Sequence, residues 1–336
     1  MKLDVKELIK ELSSLDGPSG YEKAVLELIE KKIEPLVDRV WYNKVGTLIA
    51  EKKGTGSGRL GIFAHADEVG YVVTKLEKGL FARLETIGGV DPKVIFAQRV
   101  KIYTAKGIAK GIVGVLPPHL QKEEHRSKVP SFDKIFVDLS CSELGEYVSV
   151  GDICVVDVKP VELNGKLCGK AMDNRAGCAS LILAAQLLRN IRNYQDVYFV
   201  FSSQEEVTGL GAVSIAYELR LDRAIVVDVT HGDVKIPQFV QIKTGEGPAL
   251  CVGPVIDKEF YSKLYQTAQR NNVKIQIEPA PGRSGTDTDE VQLSGTGVRT
   301  TLVSIPLMYM HTPVEVVDPR DVEETARLLA LATTIE

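Results

Sequence analysis

A mixed, largely parallel α/β sheet sandwiched by helices, interrupted by an inserted small all-β, barrel-like domain, is the fold class this sequence predicts. Three observations carry it. After Gly165, near-continuous apolar strands alternate with helical patterns, the signature of an open sheet covered on both faces. Before Gly70, two helical patterns lead into strand-like runs. Between Tyr71 and Leu163 the helical period vanishes and short β-branched runs alternate with Gly and Pro turns. The expected organisation is therefore a discontinuous α/β domain, residues 1–70 and 164–336, carrying a β insert at 71–163.

The elements follow in order. Val5, Leu8, Ile9 and Leu12 fall at amphipathic helical spacing. A second helix is expected from Ser19-Gly20-Tyr21-Glu22, where Ser and Glu three apart suggest a capping box. Strand-like runs Val40 to Ala50 and Arg59 to Ala64 flank Gly54-Thr55-Gly56-Ser57-Gly58, which reads as a hairpin because no helix follows to make a phosphate cradle. Within the insert, Val94 to Tyr103, Gly107 to Val115 and Ile153 to Val158 read as strands, and Pro117 to Pro130 as a long exposed loop. Ala176 to Leu188 is apolar nearly all round, hence a buried helix. Strands are then expected at Asp196 to Ser203, Arg223 to Val229, Lys274 to Glu278 and Val298 to Ile305. Helices are expected at Gly211 to Leu219 and Lys258 to Gln269. Asp318-Pro319, an N-cap followed by Pro at the first helical position, opens a terminal helix through Leu331.

Composition narrows the function classes. At 336 residues with 44% hydrophobic and 26% charged content, the chain is that of an ordinary globular protein. A formal net charge of −4 with scattered Lys and Arg argues against nucleic acid or an anionic membrane as partner. The densest polar stretch, Gln121-Lys122-Glu123-Glu124-His125-Arg126-Ser127-Lys128, mixes both signs and reads as solvated. No apolar run reaches the roughly 18 residues of a membrane span, and no apolar signal core opens the chain. Cys141, Cys154, Cys168, Cys178 and Cys251 form no C-x-x-C pair. They are expected to be buried, reduced thiols in a cytoplasmic protein.

The chemistry-bearing residues cluster at predicted strand ends, the edge where open α/β sheets place their sites. His65 and Asp67 follow one strand and lean to the same side, so Asp67 can hold the second N–H of a metal-bound imidazole. Alone, this H-x-D is more often a surface His beside a chance acid. Asp173 precedes the buried helix and, taken singly, is as well explained as an N-cap. Glu205 and Glu206 close a strand and point in divergent directions, and a solvated acidic turn explains them equally well in isolation. Asp228 ends a very apolar strand, and His311 follows another. Chance produces each piece easily and the set rarely. His65, Asp173, Glu206, Asp228 and His311 form a nitrogen/oxygen ligand set without thiolate, suited to two divalent metal ions such as Zn²⁺ or Co²⁺. Glu205 is then placed to take a proton from water and pass it to a leaving amine.

These residues lie in His65-Ala66-Asp67-Glu68-Val69-Gly70, Gly169-Lys170-Ala171-Met172-Asp173-Asn174-Arg175, Gln204-Glu205-Glu206-Val207, Val227-Asp228 and His311-Thr312-Pro313-Val314-Glu315. In these stretches the sequence resembles the cytosolic tetrahedral aminopeptidases, which include glutamyl aminopeptidases and proteins labelled cellulase M. The resemblance implies the di-zinc exopeptidase fold and cleavage of N-terminal residues from short peptides with a free N-terminus. It assigns His65 and Asp228 to one metal, Glu206 and His311 to the other, and Asp173 as the bridge. Glu205 becomes the general base and Asp67 the residue orienting His65. It also implies dimerisation through the insert, six dimers forming a tetrahedral dodecamer, and a cis peptide after Asp173. Many members carry a second Asp where this chain has Asn174, which lowers the charge near the metals. Pro281-Gly282-Arg283-Ser284-Gly285-Thr286-Asp287 also looks like a family motif beside the site.

Two other functions compete. Glu205 and Glu206 could nominally serve a glycosidase, which would have no use for the histidines and remaining acids. A non-catalytic assembly protein could keep the fold, but it would not need a complete ligand set and base.

Overall fold

The computed structural model describes residues 3–78, 80–121, 131–235 and 240–335. The chain opens with α1 (Val5–Ser13), α2 (Lys23–Ile33), β1 (Arg39–Tyr42), β2 (Leu48–Lys52) and β3 (Arg59–His65). Leu8, Ile9 and Leu12 turn inward from α1, as their spacing requires. Next come β4 (Gly70–Glu77), β5 (Phe81–Ile87), β6 (Arg99–Thr104), β7 (Gly107–Val113), β8 (Val137–Asp138) and β9 (Ile153–Val156). These six close into an antiparallel barrel in the order β4-β5-β8-β7-β6-β9. The barrel has its own core, built around Val73, Leu84, Val100, Ile102, Ala109 and Val113. Most of the polar stretch at 121–128, and of the loop expected at 117–130, lies outside the described residues.

The remainder contains β10 (Val161–Leu163), β11 (Lys166–Gly169), α3 (Met172–Leu187), β12 (Asp196–Ser202), α4 (Leu210–Leu219) and β13 (Arg223–His231). It continues with β14 (Ala249–Val252), α5 (Lys258–Arg270), β15 (Gln276–Pro279), α6 (Asp287–Val291), β16 (Arg299–Met308), β17 (Glu315–Val317) and α7 (Pro319–Ala332). With the N-terminal strands they form one large sheet, ordered β1-β2-β12-β3-β13-β16-β17-β11-β10, with β14 joined to β16 and β15 to β14. β12, β3, β13 and β16 run parallel at its centre, and antiparallel strands flank them. The mixed α/β class with an inserted barrel is the one the sequence predicts.

Both faces of the central strands are buried. Along β12, Val197, Phe199 and Phe201 pack toward α1, α2, α3 and α7, whereas Tyr198 and Val200 pack toward α4. This explains why these strands read as continuous apolar runs instead of alternating ones. Asp318 caps α7 by accepting from the Arg320 amide at 3.0 Å, with Pro319 at the first helical position.

Three local expectations are corrected. The glycine stretch 54–58 is not a hairpin, because β12 lies between β2 and β3. Its glycines instead let the chain press against 194–195: a Cβ at Gly54 would lie 2.4 Å from the Gln195 backbone, and one at Gly56 2.2 Å from the Tyr194 ring. The capping box does not form either. Helix α2 starts at Lys23 without a side-chain cap. Ser19 donates instead to Asp67 at 2.6 Å, while Glu22 accepts from the amides of Gly20 and Gln204. Finally, all five cysteines are free but not all are buried: Cys141 is exposed and Cys168 half-buried. Among the described residues, no helix is long and apolar enough to cross a membrane.

A buried ionic network joins barrel and sheet. Lys170 Nζ donates to both Glu68 oxygens at 2.8 Å and lies 3.2 Å from Asp16 Oδ1. Arg175, wholly buried, donates to the Leu12 carbonyl at 3.0 Å and lies 3.5 Å from Glu68. From the barrel, Lys101 and Tyr103 both donate to Asp16. Removing one member would leave a buried charge uncompensated, at a cost in stability.

Candidate metal centre

His65 ends β3, and Glu205 and Glu206 follow the neighbouring β12. Asp228 lies within β13, which runs three residues further, to His231, instead of ending at the aspartate. Asp173 follows β11, and His311 follows β16. The sheet thus carries all six residues to one place.

Asp173 is the centre of the arrangement. Its Oδ1 lies 3.1 Å from His65 Nε2 and its Oδ2 lies 3.3 Å from His311 Nε2. It does not cap α3: Ala171 occupies the cap position, and Asp173 itself has non-helical torsions. The Asp173–Asn174 peptide is cis. On one side of Asp173, His65 Nε2 lies 3.6 Å from Asp228 Oδ1. On the other, His311 Nε2 lies 3.5 Å from Glu206 Oε2. Two ligand triads result, His65/Asp173/Asp228 and Asp173/Glu206/His311, with donor atoms in each within 4.8 Å of one another. Glu205 Oε2 stands 4.0 Å from His65 Nε2, beside the first triad.

The electrostatics match divalent cations. Burial, reinforced by Asp228, Asp287 and Glu206, pushes the Glu205 carboxyl up to about 10. Burial and Asp173 push Glu206 up to about 8, and burial also raises Asp228. Burial opposes ionisation of Asp173 as well, but hydrogen bonds with both histidines hold it below the ordinary carboxylate range. His311 is carried up to about 9, chiefly by its bond to Asp173. So many buried acids around two imidazoles repel one another unless protons or cations intervene. The donors are nitrogen and oxygen only, which fits Zn²⁺ or Co²⁺. The nearby Cys178 donates its thiol to the His65 carbonyl at 3.1 Å instead of facing the triads.

The supporting residues were only partly legible from sequence. Asp67 stands 3.3 Å from His65 Nδ1, as expected. It also accepts the backbone amides of Glu205 and Glu206, each at 3.1 Å, and so holds the acidic pair together with the histidine. Glu315, unassigned by the sequence reading, does the same opposite: it accepts from the amides of Asp173 at 3.1 Å and His311 at 2.7 Å. Its place in His311-Thr312-Pro313-Val314-Glu315 was the available signal. His311 Nδ1 lies 2.6 Å from the Gly89 carbonyl, in the segment after β5 of the barrel. Asn174 is wholly buried, donating to the Val227 carbonyl at 2.7 Å and accepting from the Gly177 amide at 3.0 Å. An ionised aspartate could not supply that donor. Asp287 accepts from Ser202 at 2.5 Å, and burial pushes its carboxyl up to about 7.

Residues 46–328 match the family model described as M42 glutamyl aminopeptidase. The chain is 32% identical to the lysyl aminopeptidase of Pyrococcus furiosus, with 96% of this chain and 94% of that protein covered. A solved structure described as a peptidase/endoglucanase is 49% identical over 99% of both chains, with a TM-score of 0.83. The TET1 peptidase of Pyrococcus horikoshii, described as assembling into a tetrahedron or a large octahedral shell, is 28% identical with a TM-score of 0.87. That match covers 99% of this chain and 100% of that one. By fold, by candidate metal centre and by these likenesses, the chain is a peptidase that belongs to the M42 glutamyl aminopeptidase family.

Proposed function

We propose that this protein is a metal-dependent aminopeptidase that removes N-terminal residues from short peptides with a free N-terminus. The observation that carries the reading is the pair of triads sharing Asp173, with Glu205 beside them. His65 and Asp228 would hold one ion, Glu206 and His311 a second, and Asp173 both. When bound, divalent ions such as zinc or cobalt supply Lewis acidity, polarising the scissile carbonyl and acidifying a water molecule. Glu205 takes the proton released as the water oxygen bonds to the carbonyl carbon, then delivers it to the leaving amine as the C–N bond breaks. Asp67 keeps His65 oriented through Nδ1 and fixes the backbone from which both acids project.

The inserted barrel, expected at 71–163 but with strands running from Gly70 to Val156 and β10 left to the large sheet, serves dimerisation in this reading, and dimers assemble into a tetrahedral dodecamer in the cytoplasm. The tetrahedron named for the solved TET1 relative supports the tetrahedral assembly. The endoglucanase wording of another relative does not favour a glycosidase here, because Glu205 faces His65 and Glu206 faces His311 in a nitrogen-containing ligand set.

The test is release of p-nitroaniline from aminoacyl anilides by zinc- or cobalt-loaded protein. Hydrolysis is expected to stop on chelation, to be absent with N-acetylated substrates, and to fall about 10²–10⁴-fold in Glu205→Gln, the usual worth of a general base. Full activity after chelation, or in Glu205→Gln, would refute the mechanism.

A further inference from the structure

Family membership leaves the preferred N-terminal residue open, since the matching descriptions include both glutamyl and lysyl enzymes. The cavity beside the ligands speaks to it. One space of about 300 Å³ is lined both by the ligand set and by Thr230, Cys251 and Glu278. Thr230 lies two residues beyond Asp228 on β13, so the two side chains share a strand face, roughly 7 Å apart along the chain. Its hydroxyl donates to Glu278 Oε1. Glu278, half-buried on β15, stands directly opposite Cys251 of β14. Burial, helped by Glu278 and Asp289, pushes the Cys251 thiol up to about 12. Held by Thr230, Glu278 lines the same cavity as the ligand cluster.

Arg283 also lines this cavity, but its charge is already answered. Its Nη2 lies 3.1 Å from Glu290 and its Nε 3.4 Å from Asp289. Asp289 further accepts from the Ser284 amide at 3.0 Å and the Gly285 amide at 2.9 Å, fixing the loop that carries Arg283. Among the described residues, Glu278 has the Thr230 hydroxyl and no cationic side chain against it. A carboxylate offers about four acceptor sites, so capacity remains for a charged donor. A neutral side chain pressed against it would strip water without replacing the lost hydrogen bonds, and an acidic one would be repelled.

We propose that Glu278, positioned by Thr230, selects peptides whose N-terminal residue is basic. This rests on the aminopeptidase reading above. The four-carbon stem of lysine would run along the cavity from the reacting carbonyl to place its ammonium on the Glu278 carboxylate, and arginine would be accepted by a two-pronged contact.

The experiment compares kcat/KM of the zinc-loaded enzyme on lysyl, arginyl, leucyl and glutamyl p-nitroanilides. The expected order is lysyl and arginyl, then leucyl, then glutamyl. Glu278→Gln should lower the lysyl-to-leucyl ratio roughly 10- to 100-fold, the worth of one charged hydrogen bond, and Glu278→Asp should restore much of it. A second readout needs no turnover: free L-lysine should raise the Tm of the loaded wild-type enzyme more than L-glutamate does, and that advantage should disappear in Glu278→Gln. Preference for glutamyl substrate would assign selection to Arg283 and overturn the proposal. An unchanged lysyl-to-leucyl ratio in Glu278→Gln would overturn it too. Absence of hydrolysis on every free-amino substrate would instead break the aminopeptidase reading, and the selectivity claim with it.

Discussion

The two sides of Asp173 are built differently. His65 and Asp228 project from parallel central strands and are almost wholly buried, at 2% and 5% exposure. His311 projects from a loop after β16, has a positive φ of 59°, and leaves 32% of its side chain exposed. The sheet places the first pair, with Asp67 beside the His65 ring. The second depends on contacts outside the strands: Glu315, four residues on, holds the His311 amide, and the distant Gly89 carbonyl beyond β5 of the barrel holds its imidazole. One half of the site is therefore a property of the sheet, and the other a property of how barrel and sheet meet.

The strongest way to break this contrast is to remove what the halves share. Asp173→Ala is expected to abolish binding at both triads and to lower kcat/KM by on the order of 10³-fold or more, since each ion is worth several kcal/mol of transition-state stabilisation. Metal stoichiometry by elemental analysis, read beside kinetics, checks it. Retention of one tightly held ion would show that the halves are independent.

A sharper comparison sets Glu315→Ala against Asp67→Ala. Each leaves two backbone amides without their acceptor, and outer partners of ligands typically change metal affinity 10- to 100-fold. Glu315→Ala should weaken most the ion held by Glu206 and His311, and the other ion less, through the shared Asp173, splitting a calorimetric metal titration into two phases. Asp67→Ala should weaken both ions, because Asp67 touches His65 and also the amide of Glu206. Identical titrations for the two variants would erase the distinction.

The smallest effect concerns pH. His311 and Glu206 bind a cation only without their protons, and their pKa values sit raised, to about 9 and about 8. Metal binding to stripped protein at pH 7 must therefore release protons, and apparent affinity should climb between about pH 6 and 9. Calorimetry in buffers of different ionisation heat measures the release. Affinity independent of pH across that range would contradict it.

The contrast also explains what could be read from sequence. β3, β12, β13 and β16 announce themselves as apolar runs because both faces are buried, so the residues at or near their ends were legible as one cluster. The acceptors that hold the site were less so. Asp67 was visible because it sits two residues from His65 in an extended segment. Glu315 was not, since its partners are backbone amides, one of them 142 positions away. The hairpin reading of 54–58 failed because sequence shows neighbours along the chain, and the strand that intervenes lies beyond position 195. Ser19 and Glu22 carried a valid capping signal, but the site claimed both side chains first.

The insertion of β12 between β2 and β3 has a consequence for the order in which the polypeptide acquires structure on the ribosome. The barrel strands are contiguous, from Gly70 to Val156, and can close as soon as that stretch has emerged. The large sheet cannot. β2 and β3, made early, have no partner in each other and must wait for Asp196–Ser202, while β13 and β16 arrive later still. Pairings of such separation are slow to form. The nascent chain is thus expected to carry a finished barrel while its first sixty-odd residues still lack the strand that joins them (roughly 2–9 s of synthesis at ordinary elongation rates).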